Sequence, residues 1–529
     1  MTPESDSVVT TRSEAPAWVP ARKGAAPFLG RFRLHPAVRD FGLTGSASLL
    51  TAVAAMVVIA LLGRALGGAL LGEYLLIRRM ASWLQAGVQL PSGVALPRFV
   101  AFSIDEPGFV KQGYFLAALL SGCGIALSLG AVLMTWKSSL GQLLFGSAGL
   151  GHLVLPLNLM LFALAAHGAT FGYYQGALAM GRACALQTIN LVAVPIAVTL
   201  LLQQRHSVTL IVNAMSISMI GITVFFVLPI VRNSKLELSV AQFRKQASEL
   251  LAYGFARLSG DFSLQALLSL PAVIAAHYVP MTSVTFLLFG GTFLAAVAAA
   301  NQPLVTILLA RVSKSIARKR ISELQAPLGY LVSALIESSF FVCLQLIVFT
   351  DVIMNAWVGP SFSAGLRVIR IVIIAVPFYS IHAGLRAAID AAAVKAYNAR
   401  NALISLGTFL VLAALTKIFL PDSYLLEGLA VSSVIGLFVL AVCGFETLRS
   451  LTQINLKWAP ILLSLGVAGI LGMLSYFIHH VLHLGLLALA LFELVLSGVY
   501  LVLLRMLGCR WVAFVFETIF VRSPHNVGG

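Results

Sequence analysis

Residues Ala86 to Phe99 read AGVQLPSGVALPRF, and residues Ala299 to Val312 read AANQPLVTILLARV. Overlaid at an offset of 213 residues, the two segments pair Gln89 with Gln302 and Arg98 with Arg311, and bring Pro91 within one position of Pro303. A second pair begins each copy: FGLTGS from Phe41 is similar to YGFARLSG from Tyr253. Self-similarity at a fixed period marks a chain built from copies of one unit. The apolar runs around these segments keep the same register. Six begin near 41, 74, 113, 151, 185 and 208, and six more near 250, 287, 328, 368, 402 and 428.

A bilayer-spanning helix needs about 20 apolar residues. Two further runs, 459–479 and 485–504, raise the expected count to fourteen and have no counterpart in the repeat. The runs are twice the length of a barrel strand and do not alternate, which excludes a β-barrel. Composition agrees. Of 529 residues, 59% are apolar and 10% charged, with a mean hydropathy of +0.96. A soluble domain carries about 25% charged residues.

The expected fold class is therefore an all-α, polytopic membrane protein of about fourteen transmembrane helices. Residues 41–230 form an N-lobe and 250–447 a C-lobe, joined by a linker at 231–249. Six helices per lobe is an even number, so both lobes enter from the same side. Their pseudo-two-fold axis then runs along the membrane normal, an arrangement in which substrate sites lie between the halves. Pro91 and Pro303 interrupt corresponding helices, as expected of helices that bend around a cavity. Residues 459–505 add two helices, and 506–529 form a tail.

Charge sets the orientation. With residues 1–40, a polar tail without an apolar signal segment, placed inside, about 26 Lys and Arg fall on the inner side and 5 on the outer. Such bias predicts cytoplasmic termini. The net charge of +16 belongs to these loops, so it points to anionic lipid heads rather than to nucleic acid. In the linker, Leu236, Val240, Phe243, Ala247 and Leu250 recur at helical spacing opposite Arg244 and Lys245, predicting an amphipathic helix on the cytoplasmic leaflet.

Charges inside membrane helices are costly and are functional candidates by default. They are Arg78, Arg79, Arg257, Asp261, Glu337, Arg370 and Glu493. Arg257, Asp261 and Gln265 share one face of the seventh helix at i, i+4 and i+8. This face is expected to line a central cavity, with Arg257 meeting an oxyanion bidentately. Asp261, expected near the midplane, would orient Arg257 or exchange a coupling proton or sodium ion. Arg78 and Arg79 are adjacent and cannot point the same way, so one is expected in the cavity. Glu337 reads as a counter-ion or a core residue, Arg370 as a cavity residue or one snorkelling to head groups, and Glu493 as structural. Gly168, Gly172 and Gly176, and likewise Gly466, Gly469 and Gly472, are spaced for close helix contacts. The five cysteines form no CxxC pair, and His479, His480 and His483 lack acidic or thiol company, so no metal site or other cofactor is expected.

Three segments carry a family resemblance. LLGRALGGALLGEYLL from Leu61 places Arg64, Leu66, Gly67, Gly72 and Tyr74 on a first-hairpin motif. LPRFVA from Leu96 matches the inner loop that follows it, and YYQGALAMGRACALQTIN from Tyr173 the loop between helices four and five. They resemble the polysaccharide or O-antigen flippases of the multidrug/oligosaccharidyl-lipid/polysaccharide exporter superfamily. Gly68, Ala69 and Leu70 depart from the Pro and acidic residues usual in that first turn. The resemblance implies an alternating-access carrier of lipid-diphosphate-linked glycans in the bacterial inner membrane. Its implied partners are the glycan, membrane lipids and polysaccharide polymerase and export machinery. A drug or cation antiporter of the same superfamily is the alternative, and it needs an acidic cavity. An enzyme is not expected, because no large outer loop and no paired-carboxylate, nucleotide or metal motif is present.

Overall fold

The computed structural model describes residues 36–232, 239–317, 325–392, 395–454, 456–482, 485–509 and 511–512. Among these residues every regular element is a helix. Twelve helices are long and apolar enough to cross a membrane, and a bent pair adds a thirteenth. The first of the twelve, running from Gly42 to Val88, is broken at Gly67, whose φ of 75° and ψ of 178° are not helical. Only glycine takes that conformation without steric cost. A side chain at Gly63 would touch Leu71 at 3.4 Å, and Thr51 and Ser82 line one cavity, so the chain folds back on itself there. The long helix is thus two crossings, and the total is the expected fourteen.

The N-lobe contains α1 (36–66), α2 (68–88), α3 (Gly108–Thr135), α4 (Val154–Gly176), α5 (180–202) and α6 (Val208–Arg232). The C-lobe contains α7 (Val240–Ala276), α8 (Met281–Ala317), α9 (Gln325–Val348), α10 (Leu366–Ile373 and Val376–Ala392), α11 (Tyr397–Phe419) and α12 (Leu425–Thr452). The two pieces of α10 meet at 44°. α13 (Trp458–Leu482) and α14 (Leu486–Met506) follow. Residues Gln302, Pro303 and Arg311, the second members of the sequence pairs, have side chains outside the described residues, as do Leu236 and His483. The two tails, 1–35 and 513–529, also lie outside them.

α7 starts ten residues earlier than the apolar pattern suggests. Ser239 is extended (φ −71°, ψ 146°) and its hydroxyl accepts from the Gln242 amide at 3.1 Å, a side-chain N-cap. The amphipathic stretch 240–249 therefore continues α7 instead of forming a separate surface helix. Its apolar face has a protein partner: Phe243, Ala247 and Leu250 pack on Leu96, Val100 and Phe115 of the N-lobe.

Two faces close the lobes against each other. At the face holding Gly67, the Thr285 hydroxyl donates to the Gly68 carbonyl at 3.0 Å, and Trp357 Nε1 donates to the Met56 carbonyl at 2.7 Å. Arg64 donates to the Ala356 carbonyl beside them. At the face toward the termini, Tyr114 donates to Glu249 at 2.6 Å and Gln246 donates to the Val110 carbonyl at 3.2 Å. A side chain on Gly254 would lie 2.1 Å from the Leu90 carbonyl, so only glycine permits this approach of α7 to the end of α2.

Of the small-residue patterns, one is a seam. Gly168, Gly172 and Gly176 lie against Gln89, Ser92 and Pro97. Gly466 and Gly469 have nothing within 4 Å of an added Cβ, and only Gly472 approaches Leu344 of α9. The appendage is instead held by a polar knot on α9. Glu337, 1% exposed, accepts from Trp511 Nε1 at 2.6 Å, and its backbone carbonyl accepts from the Tyr500 hydroxyl at 3.1 Å. Leaving a buried acceptor unpaired costs about 1–3 kcal/mol. Trp511→Leu is therefore expected to lower the melting temperature in detergent and expose the C-terminal helices to proteolysis, with transport retained. An unchanged melting curve would show that the knot contributes nothing.

Candidate functional site

Three connected cavities lie in the N-lobe and between the lobes. One of about 580 Å³ occupies the N-lobe, lined by α1, α2, α4, α5 and α6. One of about 440 Å³ is lined by α7, α10 and α11 with Arg98 from the N-lobe. A third, of about 410 Å³, joins them. It shares Ser82, Gln85 and Gln89 with the first and Tyr253, Arg257, Asp261 and Arg386 with the second.

Arg257, Asp261 and Gln265 all line the joining cavity, as one face of α7. The expected pairing within that stripe does not form. Asp261 accepts from Arg386, which reaches across from α10. The Arg257 guanidinium lies over the Tyr253 ring at 4.9 Å. Arg98 covers the same ring at 5.0 Å and donates to the Tyr253 hydroxyl at 2.8 Å. Two guanidinium groups, one from each lobe, thus meet at one tyrosine ring. Among the described residues no carboxylate lies within ion-pairing distance of Arg98 or Arg257.

The rest of the second cavity keeps this sign. Arg386 and Lys395 add two cations, against Asp261 and Asp390. Both carboxylates already have donors: Arg386 for Asp261, and the Asn398 amide at 2.9 Å for Asp390. The Asp261–Arg386 pair is about two-fifths exposed on both sides. Exposed pairs contribute about 0.2–1 kcal/mol. A double-mutant cycle on Asp261→Asn and Arg386→Gln, read by thermal unfolding, is expected to give a coupling in that range. A coupling above about 3 kcal/mol would require a fully desolvated pair.

The other candidates separate. Arg78 lines the N-lobe cavity and lies 5.8 Å from the Tyr74 ring centroid. Arg79 turns the other way, into a small recess beside Gly291, Leu288 and Leu437 of the C-lobe. Successive helical residues diverge by 100°, which is why the two part. Glu337 faces the appendage and not a cavity, because Trp511 claims it. Arg370 pairs with Asp351 at 3.6 Å, and Asp351 also contacts His479 at 3.1 Å, all at the Gly67 face. No group of three potential metal ligands occurs among the described residues.

Arg98, Arg386 and Lys395 had the look of loop charges, and Tyr253, His382 and Asn398 carried no flag. One signal was available: His382, Arg386 and Asp390 recur at i, i+4 and i+8, the spacing of the α7 stripe they face. The N-lobe cavity had a similar one. Thr44, Ser48 and Thr51 on α1, and Arg78, Ser82, Gln85 and Gln89 on α2, form polar stripes in apolar helices. Charge alone does not reveal them.

No protein-family model matches the chain, and no curated protein matches its sequence. Solved structures do match it. The lipid II flippase MurJ in an inward closed conformation aligns with a TM-score of 0.66 at 14% identity, over 92% of this chain and 100% of its own. The fold is the MurJ fold. It is shared with the eukaryotic MATE transporter AtDTX14, at TM-score 0.57 and 14% identity, over 79% of this chain and 98% of that one. An inward-facing multidrug resistance MATE family transporter of the MOP superfamily gives TM-score 0.57 and 14% identity, over 76% and 94%. At this identity the likeness is one of fold. The MurJ match extends over more of the chain than these two MATE matches do.

Proposed function

We propose that this chain is a flippase that moves a lipid-linked, diphosphate-bearing oligosaccharide or polysaccharide repeat unit across the bacterial inner membrane by alternating access. The termini are cytoplasmic in this reading. The observation that carries it is the meeting of Arg98 and Arg257 at the Tyr253 ring. Two guanidinium groups with no carboxylate partner among the described residues face a cavity where lobes meet. Guanidinium binds phosphate oxygens through parallel, charge-assisted hydrogen bonds. A diphosphate bearing sugar cannot enter hydrocarbon, while its lipid tail prefers it. A cationic cleft between two lobes solves both problems, with the tail remaining in lipid. The fold shared with a lipid II flippase supports the same mechanism.

The alternative, a drug or cation antiporter, has the MATE likeness in its favour. Such a carrier needs a free carboxylate for a cationic cargo. The two carboxylates lining the second cavity, Asp261 and Asp390, are both engaged, and the cations around them outnumber them.

A deletion strain tests the reading. Lipid-linked glycan is expected to accumulate on the cytoplasmic leaflet, with surface polysaccharide lost and drug sensitivity unchanged. Altered drug sensitivity with normal surface glycan would favour the antiporter.

A further inference from the structure

The flippase reading assigns a role to the cationic cleft and none to the larger cavity in the N-lobe. That cavity, of about 580 Å³, has a different chemistry. Its lining contains one charge, Arg78, and no carboxylate. Uncharged hydroxyl and amide groups supply the rest of its polarity. Thr44, Ser48 and Thr51 come from α1, Gln85 and Gln89 from α2, and Gln187 from α5. Burying such groups in membrane helices is unfavourable unless they find partners. Some of these groups are bonded within the wall: the Thr51 hydroxyl donates to the Ala47 carbonyl at 2.8 Å and accepts from the Gln187 amide at 3.3 Å, and Gln89 reaches the Leu164 carbonyl only at 3.5 Å.

The wall behind them is built to hold one more such group. α5 contains a π-helical turn at Ile189–Ala193, a feature that is frequent at functional sites. That turn carries Asn190, whose amide donates to His167 Nδ1 at 3.2 Å and to the Thr223 hydroxyl at 2.9 Å. His167 lines the chamber, and with Nδ1 accepting, its hydrogen sits on Nε2. Tyr74 and Phe171 complete the lining with aromatic surface.

We propose that this chamber is the sugar compartment of the carrier, taking the neutral, hydroxyl-rich part of the ligand while the diphosphate stays at Arg98 and Arg257. The proposal rests on the flippase reading and deepens it. Vicinal hydroxyls both donate and accept, as the Ser, Thr and Gln side chains do, and the C–H face of a sugar ring packs on an aromatic plate. An alkyl chain would offer the Ser48 and Gln85 side chains no hydrogen bond, and a cationic drug would meet Arg78. Ser82, Gln85 and Gln89 line both this chamber and the joining cavity, so one ligand can extend from the arginines into it.

The test uses the purified full chain in nanodiscs and two probes: farnesyl diphosphate, which has no sugar, and lipid-diphosphate-linked glycan extracted from the host membrane. Gln187→Leu and Thr51→Val are expected to weaken glycan binding by about five- to tenfold. Farnesyl diphosphate should bind each variant within about twofold of the parent. Because these variants can perturb packing, Ser48→Cys supplies a second measurement. Its maleimide labelling should slow with the glycan probe and not with farnesyl diphosphate. Equal losses for both probes without selective protection, or no loss at all, would overturn the sugar compartment. Failure of the parent protein to bind either probe would overturn the flippase reading itself, which separates the two claims.

Discussion

Replacing Arg257 with alanine is expected to lower the affinity for a lipid-linked diphosphate by about 10- to 100-fold. A hydrogen bond to a charged group contributes about 1.5–3 kcal/mol, and each 1.4 kcal/mol is a factor of ten. The effect should be large because Arg257 has no carboxylate partner among the described residues, and its guanidinium lies 4.9 Å from the Tyr253 ring centroid. The free side chain is already in place to meet an anion. Arg257→Lys keeps the charge without the fork and should fall between the two, about tenfold down. Equilibrium binding to the detergent-purified protein checks both, with membrane insertion verified by size-exclusion profile. Parent-like binding by the alanine variant would remove Arg257 from the site.

A disulfide across the Gly67 face is expected to stop transport and to release it on reduction. A Cβ at Gly68 would lie 3.5 Å from the Thr282 Cβ, across the seam between α2 and α8. Disulfides span Cβ distances of about 3.5–4.5 Å, so Gly68→Cys with Thr282→Cys should oxidise readily. The five native cysteines are unpaired and leave this bond distinguishable on a gel. Moving a two-state equilibrium from 1:99 to 99:1 takes about 5.5 kcal/mol, and a covalent bond at the seam removes the second state outright. Transport should fall to background when oxidised and recover with dithiothreitol. Full transport by the cross-linked protein would mean that the two lobes do not part at this face.

Much of this architecture is legible in the sequence because the bilayer imposes strict lengths. The repeat at 213 residues and the fourteen apolar runs follow from that constraint. The start of α7 was not legible from hydropathy, since residues 240–249 bury an apolar face against α3 and the segment after α2, and not against lipid. The candidate site was legible where one helix carried its own pattern. Arg257, Asp261 and Gln265 share a face of α7 whatever surrounds it. Their partners come from far along the chain: Asp261 meets Arg386, 125 residues on, and Glu337 meets Trp511, 174 residues on. Spacing on one helix says which way residues point together. It does not say which neighbour they meet, and that is why Glu337 reads as either a counter-ion or a core residue, and Arg370 as either a cavity residue or one snorkelling to head groups.

The central claim is that a cationic cleft between two lobes carries an anionic lipid head group across the bilayer. The most direct measurement places the purified chain alone in sealed proteoliposomes with fluorescent lipid-diphosphate-linked glycan in both leaflets. A membrane-impermeant reductant then quenches whatever is accessible outside. With the protein present, nearly all of the glycan lipid should become quenchable over time, and Arg257→Ala should slow that rate at least tenfold. Quenching that stops at the outer leaflet's share, with the parent chain properly inserted, would contradict the account.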